Sequence, residues 1–201
     1  MTTVQESAAA EAPAAAKGLA DPTALAFAAV GLTFGVIALT MTGAVSADVS
    51  TIVLPLALAY GTLALLISGI VSFKLGDVFG AFTYTSLSAF FLSFALVQYF
   101  LAVKVTAFSA GDPGAAFATF LGGWIIIITY LMILAFTYPK LFTVIFIGVW
   151  ASLILLAFGF AGNESLLKTG AWIGVASALL ALYASAAVLS NTMLGRRVLP
   201  M

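Results

Sequence analysis

The chain has 201 residues, of which 64% are hydrophobic and 7% charged, where a soluble domain carries roughly a quarter charged residues. Seven basic residues balance seven acidic ones, which argues against nucleic acid or a generally acidic partner. His and Cys are both absent, so there is no imidazole base, haem ligand, thiolate metal site or disulfide, and most intramembrane hydrolases and redox carriers are excluded.

Taken in order, residues 1–20 form an Ala-rich polar stretch with Glu6, Glu11 and Lys17. It lacks the basic start and compact apolar centre of a signal peptide and is expected to be a disordered arm. Residues 21–201 hold six apolar runs, each long enough to cross about 30 Å of hydrocarbon as a helix. The predicted spans are Thr23 to Ala47, Thr51 to Phe73, Val78 to Val103, Ala115 to Tyr138, Leu141 to Gly162 and Thr169 to Gly195. Short joints between them make consecutive helices antiparallel neighbours, so the fold class is an all-α membrane protein with six transmembrane helices in one bundle.

Asp21-Pro22 reads as an N-cap followed by the proline favoured in a first helical turn. Pro55 falls early in the second span, as a first-turn residue or a mild kink. Pro139 and Gly162-Asn163 mark breaks at the membrane surface. Lys17, Lys74, Lys140, Arg196 and Arg197 lie on one side of the membrane and Lys104 and Lys168 on the other. That bias puts both termini in the cytoplasm of a multi-pass cell-membrane protein.

No span contains Asp, Glu, Lys or Arg, so the bilayer core has no fixed proton relay. A permeating solute must use hydroxyls, amides, rings and backbone groups, which suits a molecule that is neutral or neutralised as it passes. The richest supply is in the third span, where Thr83, Tyr84, Thr85, Ser86 and Ser88 cluster, Ser93 follows, and Thr83, Ser86 and Ser93 share a helical face. Such a stripe reads either as the wall of a pathway or as hydroxyls bonded back to their own helix and cementing neighbours. Further candidates are Thr33, Thr40 and Thr42, Tyr60, Thr62 and Ser68, Gln98 and Tyr99, Thr129 and Tyr130, and Ser177, Tyr183 and Ser185. About three in four of these are expected to be packing glue.

Gly31/Gly35, Gly76/Gly80 and Gly170/Gly174 have G-x-x-x-G spacing, and Gly61 and Gly69 share a face. Such spacing lets helix backbones approach closely, within one bundle or between protomers. Arg196 and Arg197 past the last span read as a topology anchor, with substrate gathering as the alternative. Gly122-Gly123-Trp124 and Gly170-Ala171-Trp172 faintly suggest a three-plus-three duplication.

The segment FKLGDVFGAFTYTSLSAFF, from Phe73, resembles the acetate uptake transporter family, also called the succinate–acetate/proton symporters. The end of the chain is similar as well: Ala161-Gly162-Asn163, Gly170-Ala171-Trp172-Ile173-Gly174, Tyr183, Asn191 and Gly195-Arg196-Arg197-Val198-Leu199-Pro200. The resemblance covers Leu19 to Pro200 and implies a six-helix protomer, homohexameric in bacterial relatives, that moves acetate and related small carboxylates, with no cofactor or metal. It also implies a hydrophobic constriction from the first, third and fifth helices, by position Val30, Leu87 and Val149, with Thr83, Tyr84 and Ser86 as wall residues. Thr33 and Tyr60 complete the candidate pathway.

This chain departs from the family in several places. The family's Asn-Pro-Ala-Pro-Leu-Gly-Leu is here Asp21-Pro22-Thr23-Ala24-Leu25-Ala26-Phe27, and an acidic residue at an entrance disfavours an anion. Val30 and Leu87 replace the usual aromatic pair, giving a wider or drier neck unless Phe27 or Phe34 swings in from one turn away. Ser72 and Val188 stand where relatives carry Glu, so a protein-borne proton is not expected. The sequence reading is a channel-like uniporter for acetate and similar monocarboxylates, extending to succinate, with the proton on the substrate. The alternative is a passive channel for a neutral solute such as urea, an amide or ammonia.

Overall fold

The computed structural model describes residues 18–103 and 112–201. The predicted disordered arm, apart from its last residues, lies outside the described residues, as does Lys104 in the longest loop. Six helices long and apolar enough to cross a membrane are present. They are α1, Thr23–Met41; α2, Val49–Leu75; α3, Val78–Ala102; α4, Pro113–Ala135; α5, Lys140–Phe160; and α6, Glu164–Leu194. Ionisable residues in them stand only in end turns: Lys74, Lys140, Glu164 and Lys168.

The helix ends follow from local chemistry. Asp21 Oδ1 accepts from Thr23 N at 2.9 Å, but the first intrahelical bond runs from Ala26 N to Pro22 O, so Pro22 rather than Asp21 is the N-cap and α1 starts one residue later than the Asp-Pro pair predicts. α1 stops at Met41 rather than Ala47. Thr42 Oγ1 donates to Leu39 O and accepts from Ala44 N, and Gly43 has φ +79°, so the side chain closes a turn in place of the helix. Asp112 Oδ1 caps Gly114 and Ala115 N–H groups ahead of α4, with Pro113 in the first turn. α6 begins at Glu164 rather than Thr169, because Asn163 Oδ1 caps Leu166 N and Glu164 pairs with Lys168 at 2.6 Å. The polar string that reads as a loop is therefore the first turn of a helix.

α2 is irregular. A 3-10 stretch over Ala47–Ile52 passes into α-helix at Val53–Leu56, widens to a π-helix over Ala57–Ala64, and returns to α-helix at Leu65–Leu75. Pro55 has no N–H to give to the helix ladder, and the Thr62 hydroxyl reaches back five residues to Ala57 O at 2.8 Å. Ser88 of α3 then donates to Thr62 O at 2.8 Å, tying α3 to the widened turn.

Glycine sets the closest approaches. A Cβ on Gly31 would lie 2.8 Å from Leu182 Cγ and 2.9 Å from Ala178 O, and one on Gly170 would lie 2.8 Å from Leu155 Cβ. The spacing at Gly31/Gly35 and Gly170/Gly174 therefore packs α1 on α6 and α6 on α5 within the bundle. Gly31→Ala should part α1 from α6 and destabilise by about 1–3 kcal/mol, read as a lower melting temperature in detergent. Gly76 is different: its φ of +74° makes it the left-handed cap of α2. Gly122 and Gly123 meet nothing within 4 Å, unlike Gly170, and Trp124 points inward while Trp172 is exposed, so the two Gly-Trp motifs are not structural equivalents.

α4 packs its backbone on α5 and meets α3 through rings: Phe82–Tyr130, Phe90–Trp124, Phe90–Phe120 and Phe94–Phe117 have centroids 5.3–5.9 Å apart. After α6, Gly195 turns the chain back. Asn191 then collects Val198 N, Leu199 N and Leu199 O, and Tyr183 donates to Pro200 O at 3.0 Å.

Candidate functional site

Most hydroxyls in the spans are spent on backbone. Thr40, Ser68, Thr85, Ser93, Thr129 and Ser177 donate to carbonyls one turn back, which is how a hydroxyl is satisfied without water. Ser152 and Ser185 bond across helices, to Gly170 O and Ala24 O. Among the described residues, three buried hydroxyls have no partner: Thr33, Ser72 and Thr83. An unpaired buried hydroxyl forfeits about 1–3 kcal/mol, so the place each one faces matters.

Thr83 faces a cavity of about 80 Å³. Roughly 10–15 Å³ of such space is needed per water, so the cavity takes several waters or a solute of a few heavy atoms. It lies between the N-terminal ends of α1, α3 and α5, on the face that carries Lys74, Lys140 and the two arginines. Phe27, Phe79, Phe142 and Phe146 supply its apolar walls, with Phe27 and Phe142 rings 4.5 Å apart. Its polar groups are few: Thr83, Thr23, Tyr84, Tyr138 and Asp77. The Tyr84 hydroxyl makes one long bond to Thr23 Oγ1, 3.4 Å.

Beyond it is a second cavity of about 20 Å³, lined wholly by apolar and aromatic side chains. Four residues line both cavities: Val30 of α1, Leu87 of α3, Ile128 of α4 and Val149 of α5. They form the apolar partition between the two. Phe27 lies on one side of it and Phe34, one turn beyond Val30, on the other, so aromatic bulk flanks the partition rather than filling it. Beyond the small cavity the bundle is filled with rings: Phe90 stacks on Phe120, Phe94 meets Phe117 edge-on, and Phe117 stacks on Phe160 with centroids 4.9 Å apart.

Of the predicted pathway residues, Thr83 and Tyr84 line the wide cavity together with Val30, Leu87 and Val149. Ser86 is half-buried, Tyr60 packs partly buried in the π-helical stretch, and Thr33 is buried against Gly61; none of the three lines either cavity. Ser72 is fully buried beside Gly80, and Arg196 and Arg197 are exposed on the folded-back tail. The fourth partition residue, Ile128, has no signal in the sequence, because the run Ile125-Ile126-Ile127-Ile128 is apolar on every face. Asp77, in the short joint between α2 and α3, caps α3 by accepting from Gly80 N at 3.0 Å and also lines the wide cavity.

Membership of a family rests on the whole chain rather than on this site. The sequence profile described as the GPR1/FUN34/yaaH family matches residues 4–201. The chain belongs to the GPR1/FUN34/yaaH family. Curated relatives include the succinate-acetate/proton symporter SatP of Escherichia coli (strain K12) and that of Shigella flexneri. Each is 29% identical over 184 residues, covering 90% of this chain and 95% of the relative. A solved structure of the bacterial acetate channel SatP superposes with a TM-score of 0.84 at 26% identity, covering 91% of this chain and 99% of that one. As a GPR1/FUN34/yaaH protein the chain is thus a polytopic six-helix membrane protein whose named relatives are transporters, not enzymes.

Proposed function

We propose that this protein is a channel-like transporter for acetate and similar short monocarboxylic acids, with succinate as a further substrate and the proton carried on the substrate. The observation that carries the reading is Thr83, a cavity-lining residue only 2% exposed whose hydroxyl has no partner, next to an apolar partition and, among the described residues, with no Lys or Arg in the lining. A neutral acid matches that cavity. Its carboxyl group can hydrogen-bond Thr83 and Tyr84 while its methyl end meets Phe27 and Phe142. An anion finds no cation to replace its water, and the partition of Val30, Leu87, Ile128 and Val149 would strip that water away. Ser86, Thr33 and Tyr60 belong to the walls only if a conducting arrangement turns them inward. The named relatives, called acetate channel and succinate-acetate/proton symporter, support the same substrate class.

The basic residues around the wide cavity support a cytoplasmic position for that mouth and for both termini. A homohexamer in the cell membrane is the proposed assembly, supported by the exposed apolar face of α4 with its open Gly122 and Gly123; light scattering in detergent tests it. The functional test is flux of labelled acetate into proteoliposomes with and without a pH gradient. Uptake should track the undissociated acid and rise when the outside is acidified. Urea or ammonia flux that acetate does not inhibit, with no acetate uptake above protein-free liposomes, would favour a neutral-solute channel instead.

A further inference from the structure

The cavity mouth holds a charge that the proposed transport does not use. Asp77 is fixed there at the α3 N-terminus: one carboxylate oxygen accepts from Gly80 N, and the other occupies the space that a Cβ on residue 80 would need. The groups around it are identifiable on every neighbouring element. α2 brings Lys74 three residues earlier, the α1 N-terminus brings Asp21, α3 itself brings Tyr84, and the α4–α5 turn brings Tyr138, with Lys140 opening α5 on the same face of the membrane. Among the described residues the ion pair present is Lys168–Glu164, at the opposite face, so neither lysine forms an ion pair with Asp77. No Lys or Arg lines the cavity. Asp77 and Tyr138 line the same cavity, and the Tyr138 hydroxyl is pushed up first by its own burial and then by the Asp77 charge.

We propose that Asp77 is a specificity-determining residue that disfavours carboxylate anions at the mouth, so that, together with the apolar partition beyond it, monocarboxylic acids enter mainly protonated and dicarboxylic acids mainly doubly protonated. This rests on the carboxylic-acid reading above and adds a residue to it. Like charges brought within a few ångströms at the rim of a low-dielectric cavity repel strongly enough to lower occupancy on the order of tenfold for a monoanion, and by about the square of that for a dianion. Asp77 thereby adds to the bias against anions that the apolar partition sets. Coupling then needs no carboxylate in mid-membrane, and Ser72 and Val188 leave none there.

The test is Asp77→Asn, which keeps an equally good N-cap for α3 and removes the charge. Labelled acetate uptake is measured over a series of pH values at a constant concentration of undissociated acid, with protein-free liposomes subtracted. Wild-type flux should stay level as pH rises, whereas the Asp77→Asn flux should climb with the anion concentration, and succinate should gain more than acetate. Asp77→Glu, which retains the charge, and Asp21→Asn, outside the cavity lining, should both stay level. A level profile for Asp77→Asn, or a climbing one for Asp77→Glu, overturns the proposal. Absence of wild-type acetate uptake above protein-free liposomes is a separate result that removes the transport reading itself, and this inference with it.

Discussion

Leu87→Trp is expected to reduce acetate flux to the level of protein-free liposomes while leaving the protein folded. Leu87 borders both cavities and is only partly buried, so an indole there grows into the empty space of about 80 Å³ and 20 Å³ instead of into packed atoms. Val30, Ile128 and Val149 border the same two cavities around it, so the indole would fill the space between them. A melting temperature within a few degrees of wild type, together with abolished uptake, is the expected pair of results. Uptake at the wild-type rate would remove the partition from the pathway. Leu87→Ala should act in the opposite sense and admit bulkier acids.

Thr83→Val should separate stability from transport. The residue is 2% exposed and its hydroxyl is buried and unpartnered, so an isosteric methyl relieves a desolvated polar group, and stability should stay level or rise by up to about 2 kcal/mol. The same change deletes one hydrogen bond to the substrate, worth about 1 kcal/mol, and acetate flux at low concentration should fall roughly fivefold. Ser88→Ala is the contrast, because Ser88 is committed to Thr62 O and away from the cavity. It should lose stability and leave substrate affinity untouched. Equal flux in wild type and Thr83→Val would mean that Thr83 does not touch the solute.

Much of this architecture is legible in the sequence, for identifiable reasons. Hydrophobic length and the near absence of charge announce six spans, and Asp21-Pro22 places the start of the first to within one residue. Helix ends were less readable where side chains compete with the backbone. Thr42 closes α1 early, and Asn163 with Glu164 and Lys168 starts α6 within a segment of loop-like composition. The π-helical widening at Ala57–Ala64 could not be read from Pro55 and Thr62, since either fits an ordinary α-helix. At the site, Thr83 and Ser86 look alike on a helical wheel; only packing shows that one faces the cavity and the other does not. Ile128 and Asp77 stayed hidden for opposite reasons. One sits in a uniformly apolar run, and the other has a structural duty as a cap that already accounts for its presence.

The seam where α3 faces α4 through Phe82, Phe90 and Phe94 rather than through close backbone contact has a kinetic consequence. Rocking one half of a transporter against the other takes microseconds to milliseconds, whereas torsions of single side chains are faster by orders of magnitude. Adjustment at such a seam needs only ring torsions, so α3 and α4 can shift against each other on the faster of those timescales while the backbone of the bundle keeps its place.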